Sequence, residues 1–167
     1  AFNKKIIAAS PTVYDMAAYP KTLSGKTVAA YVNTHTDLSD ELYREGKLVS
    51  DNYKNILRSQ TNAAAIPAEV TVRYGVTVRR ANLRNLPTGE GLFFYASDRN
   101  FDALQETALD PGEAVAILHT STNGYFYYVQ AYNYRGWLSK FDVAETDRST
   151  WLRYAEPKNF LTVVAKD

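Results

Sequence analysis

The 167-residue sequence contains no cysteine. That absence removes disulfides, thiolate-based zinc sites and a thiol nucleophile together. Histidine is scarce too: His35 and His119 fall in different parts of the chain. No His-x-His or Glu-x-x-His spacing points to a metal, and nothing implies a cofactor. Charge of one sign is also lacking. Nineteen Lys and Arg against eighteen Asp and Glu leave a net charge of +1, divided as +2 before Ala68 and −1 from there on. That balance gives no basic footprint for nucleic acid or an anionic membrane surface. Apolar runs fall far short of the roughly 20 residues that span a bilayer. The chain opens on Ala1 without the charged-then-apolar order of a signal peptide and reads as mature or trimmed. Freedom from cysteine suits an exported bacterial protein, although a cytosolic protein can lack it as well.

What is present changes character near Ala68. Residues 1 to about 66 read as short helices joined by turns. Ser24 suits a helix cap, followed by Val28, Tyr31 and Val32 at helical spacing. Ser39 before Asp40 and Glu41 suits a second helix start, with Gly46 as its stop. Ser50 opens a third, with Tyr53, Ile56 and Leu57 on one face. Each is near or below the length that is stable alone, so all must dock on something. Asn62 to Glu69 is a connector whose proline discourages further helix.

From Val70 the pattern is that of strands. "VTVRYGVTVRRANLR", "GLFFYAS", "AVAILHTS", "YFYYVQAY", "YRGWLSK" and "FLTVVA" are separated by "NLPTGEG", "DPGE" and "TNG". Short strands without alternating helices indicate a small barrel, so the expected class is α+β: a helical segment packed on a β-barrel. The connection from Asn85 to Asp110 is long for such a barrel, and loops of that length are functional or hold local structure.

The aromatic stretch from Tyr125 to Trp137 must be divided between core and surface. In a strand, Tyr125, Tyr127 and Val129 share one side, and Phe126, Tyr128 and Gln130 the other. Val129 marks the core side and draws Tyr127 in with it. A small barrel cannot bury both faces of a strand, so Phe126 or Tyr128 is expected to pack against the N-terminal helices or line a groove, with packing the expectation for Phe126. Trp137 is expected in the core with its indole N–H bonded. "YNYR", Tyr132 to Arg135, is left in a turn beside a loop carrying Asp98, Asp102, Glu106, Asp110 and Glu113. Exposed tyrosines beside carboxylates suit sugar faces or a charged peptide end. His119 reads as a strand-end histidine bonded to backbone. Arg79, Arg80 and Arg84 read as partners of the acidic loop, with Arg84 pinning its start. Ser149 suits the cap of a last short helix carrying Trp151 and Tyr154.

The strings "VRYGVTVRRANLRNLPT", "FDALQETALDPGEAVAILHTS" and "GYFYYVQAYNYRGW", in that order, resemble the first bacterial SH3 (SH3b) domain of NlpC/P60 cell-wall peptidases. The helical part resembles the stabilising segment that precedes that domain. The resemblance divides the chain into 1–67, the stabilising segment, and 68–167, the SH3b domain. It implies a bacterial cell-envelope or secreted protein acting with peptidoglycan, whose catalytic module uses a Cys and a His and cuts after γ-D-glutamate. Without cysteine this polypeptide cannot perform that hydrolysis. It is expected to be a fragment of such a hydrolase or a free-standing non-catalytic relative, with no catalytic residues of its own. Its expected partners are a muropeptide stem peptide and a downstream catalytic domain. The resemblance further implies a carboxylate and a tyrosine that hold the free amine of the first L-alanine. Tyr134, Glu106 and Asp102 are the candidates, with Tyr132 and Arg135 beside them. A scaffold without ligand affinity, or a protein–protein module, are the competing expectations.

Overall fold

The computed structural model of the protein describes residues 12–34 and 37–159, with Lys5, Ala9 and Ser10. His35 and the expected closing strand at 160–165 lie outside the described residues. After a 3-10 turn at Met16–Ala18 comes strand β1 (Thr22–Ser24). The Ser24 hydroxyl accepts the Thr27 amide at 3.1 Å and starts helix α1 (Gly25–Asn33), as its residue type predicts. Val28 and Val32 are buried one turn apart on it. Gly25 permits a close approach to the connector: its amide donates to the Ala68 carbonyl at 2.8 Å, and a Cβ there would sit 1.9 Å from the Pro67 oxygen.

The helix expected after Ser39 does not form. The Asp37 carboxylate accepts the Ser39 amide, and the chain then makes a hairpin of β2 (Tyr43–Arg44) and β3 (Lys47–Leu48). Glu45 and Gly46 both have positive φ, 51° and 80°, the backbone of two-residue turns that match strand twist. Gly46 therefore turns a hairpin instead of ending a helix. Helix α2 (Asp51–Gln60) does begin at Ser50, whose hydroxyl accepts the Tyr53 amide. Leu57 is buried on it, whereas Ile56 is exposed, off the expected face.

Strand β4 (Glu69–Thr71) returns to pair with β1. A seven-stranded antiparallel sheet follows: β5 (Arg73–Thr77), β6 (Ala81–Arg84), β7 (Gln105–Leu109), β8 (Ala114–Thr120), β9 (Phe126–Gln130), β10 (Arg135–Ser139) and β11 (Val143–Thr146). Its order is β11-β5-β8-β9-β10-β6-β7. "GLFFYAS" contributes no strand; Phe93 makes a single bridge to Tyr43, and Phe94 and Tyr95 stay exposed. Helix α3 (Arg148–Ala155) ends the described part. Its cap is Asp147 and not Ser149, because the Asp147 carboxylate reaches the Ser149 and Thr150 amides at 2.8 and 3.0 Å.

Both faces of the sheet are covered. Val115, Ile117, Val129 and Leu138 join Leu83, Leu109 and Val143 in one buried cluster. The alternate residues Ala116, Leu118, Tyr128 and Trp137 point the other way, into a cluster with Met16, Tyr19, Val28, Val32, Val70 and Trp151. This explains why β8 reads as a continuous apolar run. Phe126 packs on the second cluster, and the Tyr128 hydroxyl donates to the Tyr31 carbonyl at 2.8 Å, so those rings face the N-terminal helices as expected. Trp137 is fully buried, edge-on to Tyr128 at 5.1 Å, but its indole N–H has no partner among the described residues. That corrects the expected bond.

The long connection 85–104 is ordered from within. Leu86, Leu92 and Leu104 form a third cluster with Leu38, Leu42, Val49 and Leu57. Arg84 pairs with Asp102 at 2.7 Å, both side chains largely buried. The free oxygen of Asp102 accepts the Leu92 and Leu104 amides at 3.1 and 3.0 Å, and Arg84 also donates to the Glu90 carbonyl at 2.6 Å.

Candidate functional site

A cleft of about 370 Å³ opens where β7, the start of β10 and the segment before Met16 meet. Arg135 is its centre. Its Nε donates to Gln130 Oε1 at 2.6 Å and its Nη2 to the Tyr14 hydroxyl at 2.7 Å. The guanidinium carbon lies 3.4 Å from the Tyr31 ring centroid, so the cation is also stacked. Gln130, nearly fully buried, is held by its amide nitrogen on the carbonyls of Ala131 and Tyr134 at 2.8 and 3.0 Å. Those bonds fix the turn that carries Tyr134, which is 40% exposed at the rim.

Glu106 on β7 lines the same cleft, half-buried. Among the described residues its carboxylate has no hydrogen-bond or ion-pair partner. A partly desolvated carboxylate without a partner, in a cleft that Tyr134 also lines, can accept from an ammonium or amide donor. Burial raises the pKa of Tyr128 and Tyr19 behind the cleft, with Arg135 opposing, so both stay neutral hydroxyls at ordinary pH.

The structure divides the sequence-derived candidates. Tyr134, Glu106 and Arg135 come together in this cleft. Tyr132, two residues from Tyr134, instead lines a separate cleft of about 280 Å³ with Met16, Glu113 and Tyr154. Asp102 lines neither: Arg84 pairs with one of its oxygens and two amides donate to the other. Of the other loop carboxylates, Asp110 pairs with Arg80 at 2.5 Å and Asp98 accepts its own loop's amides. Tyr14 and Gln130 are cleft residues that sequence reading missed. Nothing local marks Tyr14, since its partner is 121 positions away.

Among the described residues His119 and Ser121 do not pair with each other. His119 Nε2 lies 3.0 Å from the Asn62 carbonyl, while Ser121 donates to Asn123 and accepts from the Phe126 amide. Imidazole and hydroxyl are thus engaged with separate partners. Among the described residues no group of three or more His, Asp or Glu could hold a metal. Burial lowers the pKa of His119, against the pull of the Asn62 carbonyl. An imidazole depressed in the folded state binds protons more readily when unfolded. Its stabilising contribution is therefore full above about 6.5 and is lost as pH falls from there through the depressed folded value. The urea midpoint of wild type is expected to drop more steeply from about pH 7 to about pH 5 than that of His119→Gln. Parallel profiles would refute this assignment.

With the geometry in place, comparisons with known proteins bear on it. Residues 92–139 match the SH3 domain (SH3b1 type) family. The fold is similar to that of an NlpC/P60 endopeptidase from Photobacterium damselae subsp. piscicida, with a TM-score of 0.66 and 19% identity over 88% of this chain. The chain spans 37% of that protein's chain, well under two thirds of its length. No curated protein matches it. The chain thus carries an SH3b-type region in a mixed helix-and-strand fold, and that fold recurs within an NlpC/P60 endopeptidase.

Proposed function

We propose that this chain is a non-catalytic, peptidoglycan-recognising part of a bacterial cell-wall endopeptidase of the NlpC/P60 type. In this reading residues 1–67 are the stabilising segment and 68–167 the SH3b domain, whose sheet closes as a small barrel. The parent enzyme supplies the cysteine chemistry from a catalytic module, and the site of action is the cell envelope or its exterior. Glu106 accepts the free amine of a stem peptide's first residue, Tyr134 adds a hydroxyl, and Arg135 with Gln130 holds the turn in place. The observation that carries the reading is Glu106: a half-buried carboxylate, without a partner among the described residues, facing a cleft in an SH3b-type fold.

Retention on purified sacculi and NMR titration with L-Ala-γ-D-Glu test it. The expected result is a set of shifts at Glu106, Tyr134 and Arg135. Glu106→Gln should weaken the dipeptide about ten-fold, the worth of one charge-assisted bond. Flat spectra together with no retention would remove the reading. They would favour instead a scaffold that only positions a catalytic module, for which the shared core between N-terminal helices and sheet is the supporting observation.

A further inference from the structure

A second arrangement, not used by the Glu106 cleft, lies where β9 begins and β10 ends. Tyr125 and Phe141 are 54% and 60% exposed, and their ring centroids are 6.0 Å apart with planes at 32°. Tyr125 immediately precedes β9, and Phe141 sits in the 3-10 turn Lys140–Asp142 that follows β10. The backbone fixes both. The Lys140 amide donates to the Tyr125 carbonyl at 2.9 Å, and the Phe141 amide donates to the Ser139 hydroxyl at 3.3 Å. Arg79 braces the turn, donating to the Phe141 carbonyl at 3.0 Å and pairing with Asp142 at 3.1 Å. Two large rings thus stand exposed on backbone that is tied on both sides.

Between them stands Lys140. Its Nζ lies 5.8 Å from the Tyr125 centroid and 5.7 Å from that of Phe141. Among the described residues its ammonium has no acidic partner, whereas Arg73, Arg79, Arg80 and Arg84 each have one. A purely apolar occupant would bury that charge uncompensated, which is unfavourable. A neutral sugar would leave it idle. A net charge of +1 with this small a patch excludes a nucleic-acid backbone. We infer that Tyr125, Lys140 and Phe141 form a platform for an acidic saccharide. The C–H faces of its pyranose rings lie on the two aromatic rings, and its carboxylate meets the Lys140 ammonium. Only the source of that saccharide, the wall glycan, rests on the function proposed above; the platform itself is separate from the Glu106 cleft.

The test is NMR titration of the full chain with three probes. They are the disaccharide of N-acetylglucosamine and N-acetylmuramic acid with a free lactyl carboxylate and no peptide, neutral chitobiose, and L-Ala-γ-D-Glu. The acidic disaccharide should shift Tyr125, Lys140 and Phe141 and bind about ten-fold tighter than chitobiose. Lys140→Gln should bring it down to the chitobiose level, and Tyr125→Ala with Phe141→Ala should abolish both sugars. All three side chains sit outside the buried clusters, so the variants fold. An acidic disaccharide that leaves those residues unmoved at millimolar concentration overturns the platform, even when the dipeptide shifts Glu106. A silent dipeptide beside a binding disaccharide overturns the stem-peptide reading and upholds the platform.

Discussion

Arg84→Met is expected to destabilise the protein by about 3 kcal/mol, because it leaves the Asp102 carboxylate buried without its counter-charge. The side chains are 6% and 15% exposed, so solvent screens the pair weakly. Methionine keeps the apolar stem but ends where the guanidinium begins, and it returns no donor to Asp102 or to the Glu90 carbonyl, which Arg84 also satisfies. The measurement is the urea midpoint at unchanged slope. Adding Asp102→Asn to Arg84→Met should recover about 1 kcal/mol, since the amide oxygen can still take the Leu92 and Leu104 amides without burying a charge. A single variant within about 0.5 kcal/mol of wild type would mean that the loop 85–104 holds without the pair.

Trp151→Ala should be the most damaging change, at about 3–5 kcal/mol. The indole is fully buried, its ring centroid is 4.8 Å from that of Tyr74, and its N–H donates to the Val115 carbonyl at 3.1 Å. Its removal leaves a cavity where α3, the sheet and the N-terminal segment converge, and takes away the indole's bond to the Val115 carbonyl. Neighbouring Arg148 binds the Ala17 and Tyr19 carbonyls and the Tyr74 hydroxyl, so the surroundings are tied and collapse little. A loss below about 1 kcal/mol, read from the same denaturation curves, would show that the cluster closes over the gap.

The sheet was readable because its signals are local. Alternation, Gly112 and Gly124 at positive φ, and the "DPGE" and "TNG" turns all act within a few residues. The hairpin at Tyr43–Leu48 was not. Its strands have two residues each, and the pairing is held by contacts such as Tyr43 with Phe93, fifty positions on. Ser39, Asp40, Glu41 and Gly46 give the same local pattern as a capped helix. The site was half legible for a related reason. Asp102 and Glu106 are equivalent in sequence, two acids in one acidic stretch. Asp102 precedes β7, whereas Glu106 is the residue of β7 that the register shift leaves without a partner on β6, between Gln105 opposite Arg84 and Thr107 opposite Leu83. There Arg84 is buried and paired with Asp102, while Glu106 keeps its place on β7 facing the cleft. No pattern along the chain encodes that choice.

The cluster that runs from Met16 to Trp151 also governs how the protein is made. A ribosome releases α1 and α2 first, yet the surfaces that cover Val28 and Val32 belong to residues translated far later. At elongation rates of roughly 5–20 residues per second the early helices wait roughly ten seconds, too short to hold their own shape in water. Nascent chains halted before Trp151 should therefore be open to proteases throughout, and folding should arrive late and all at once.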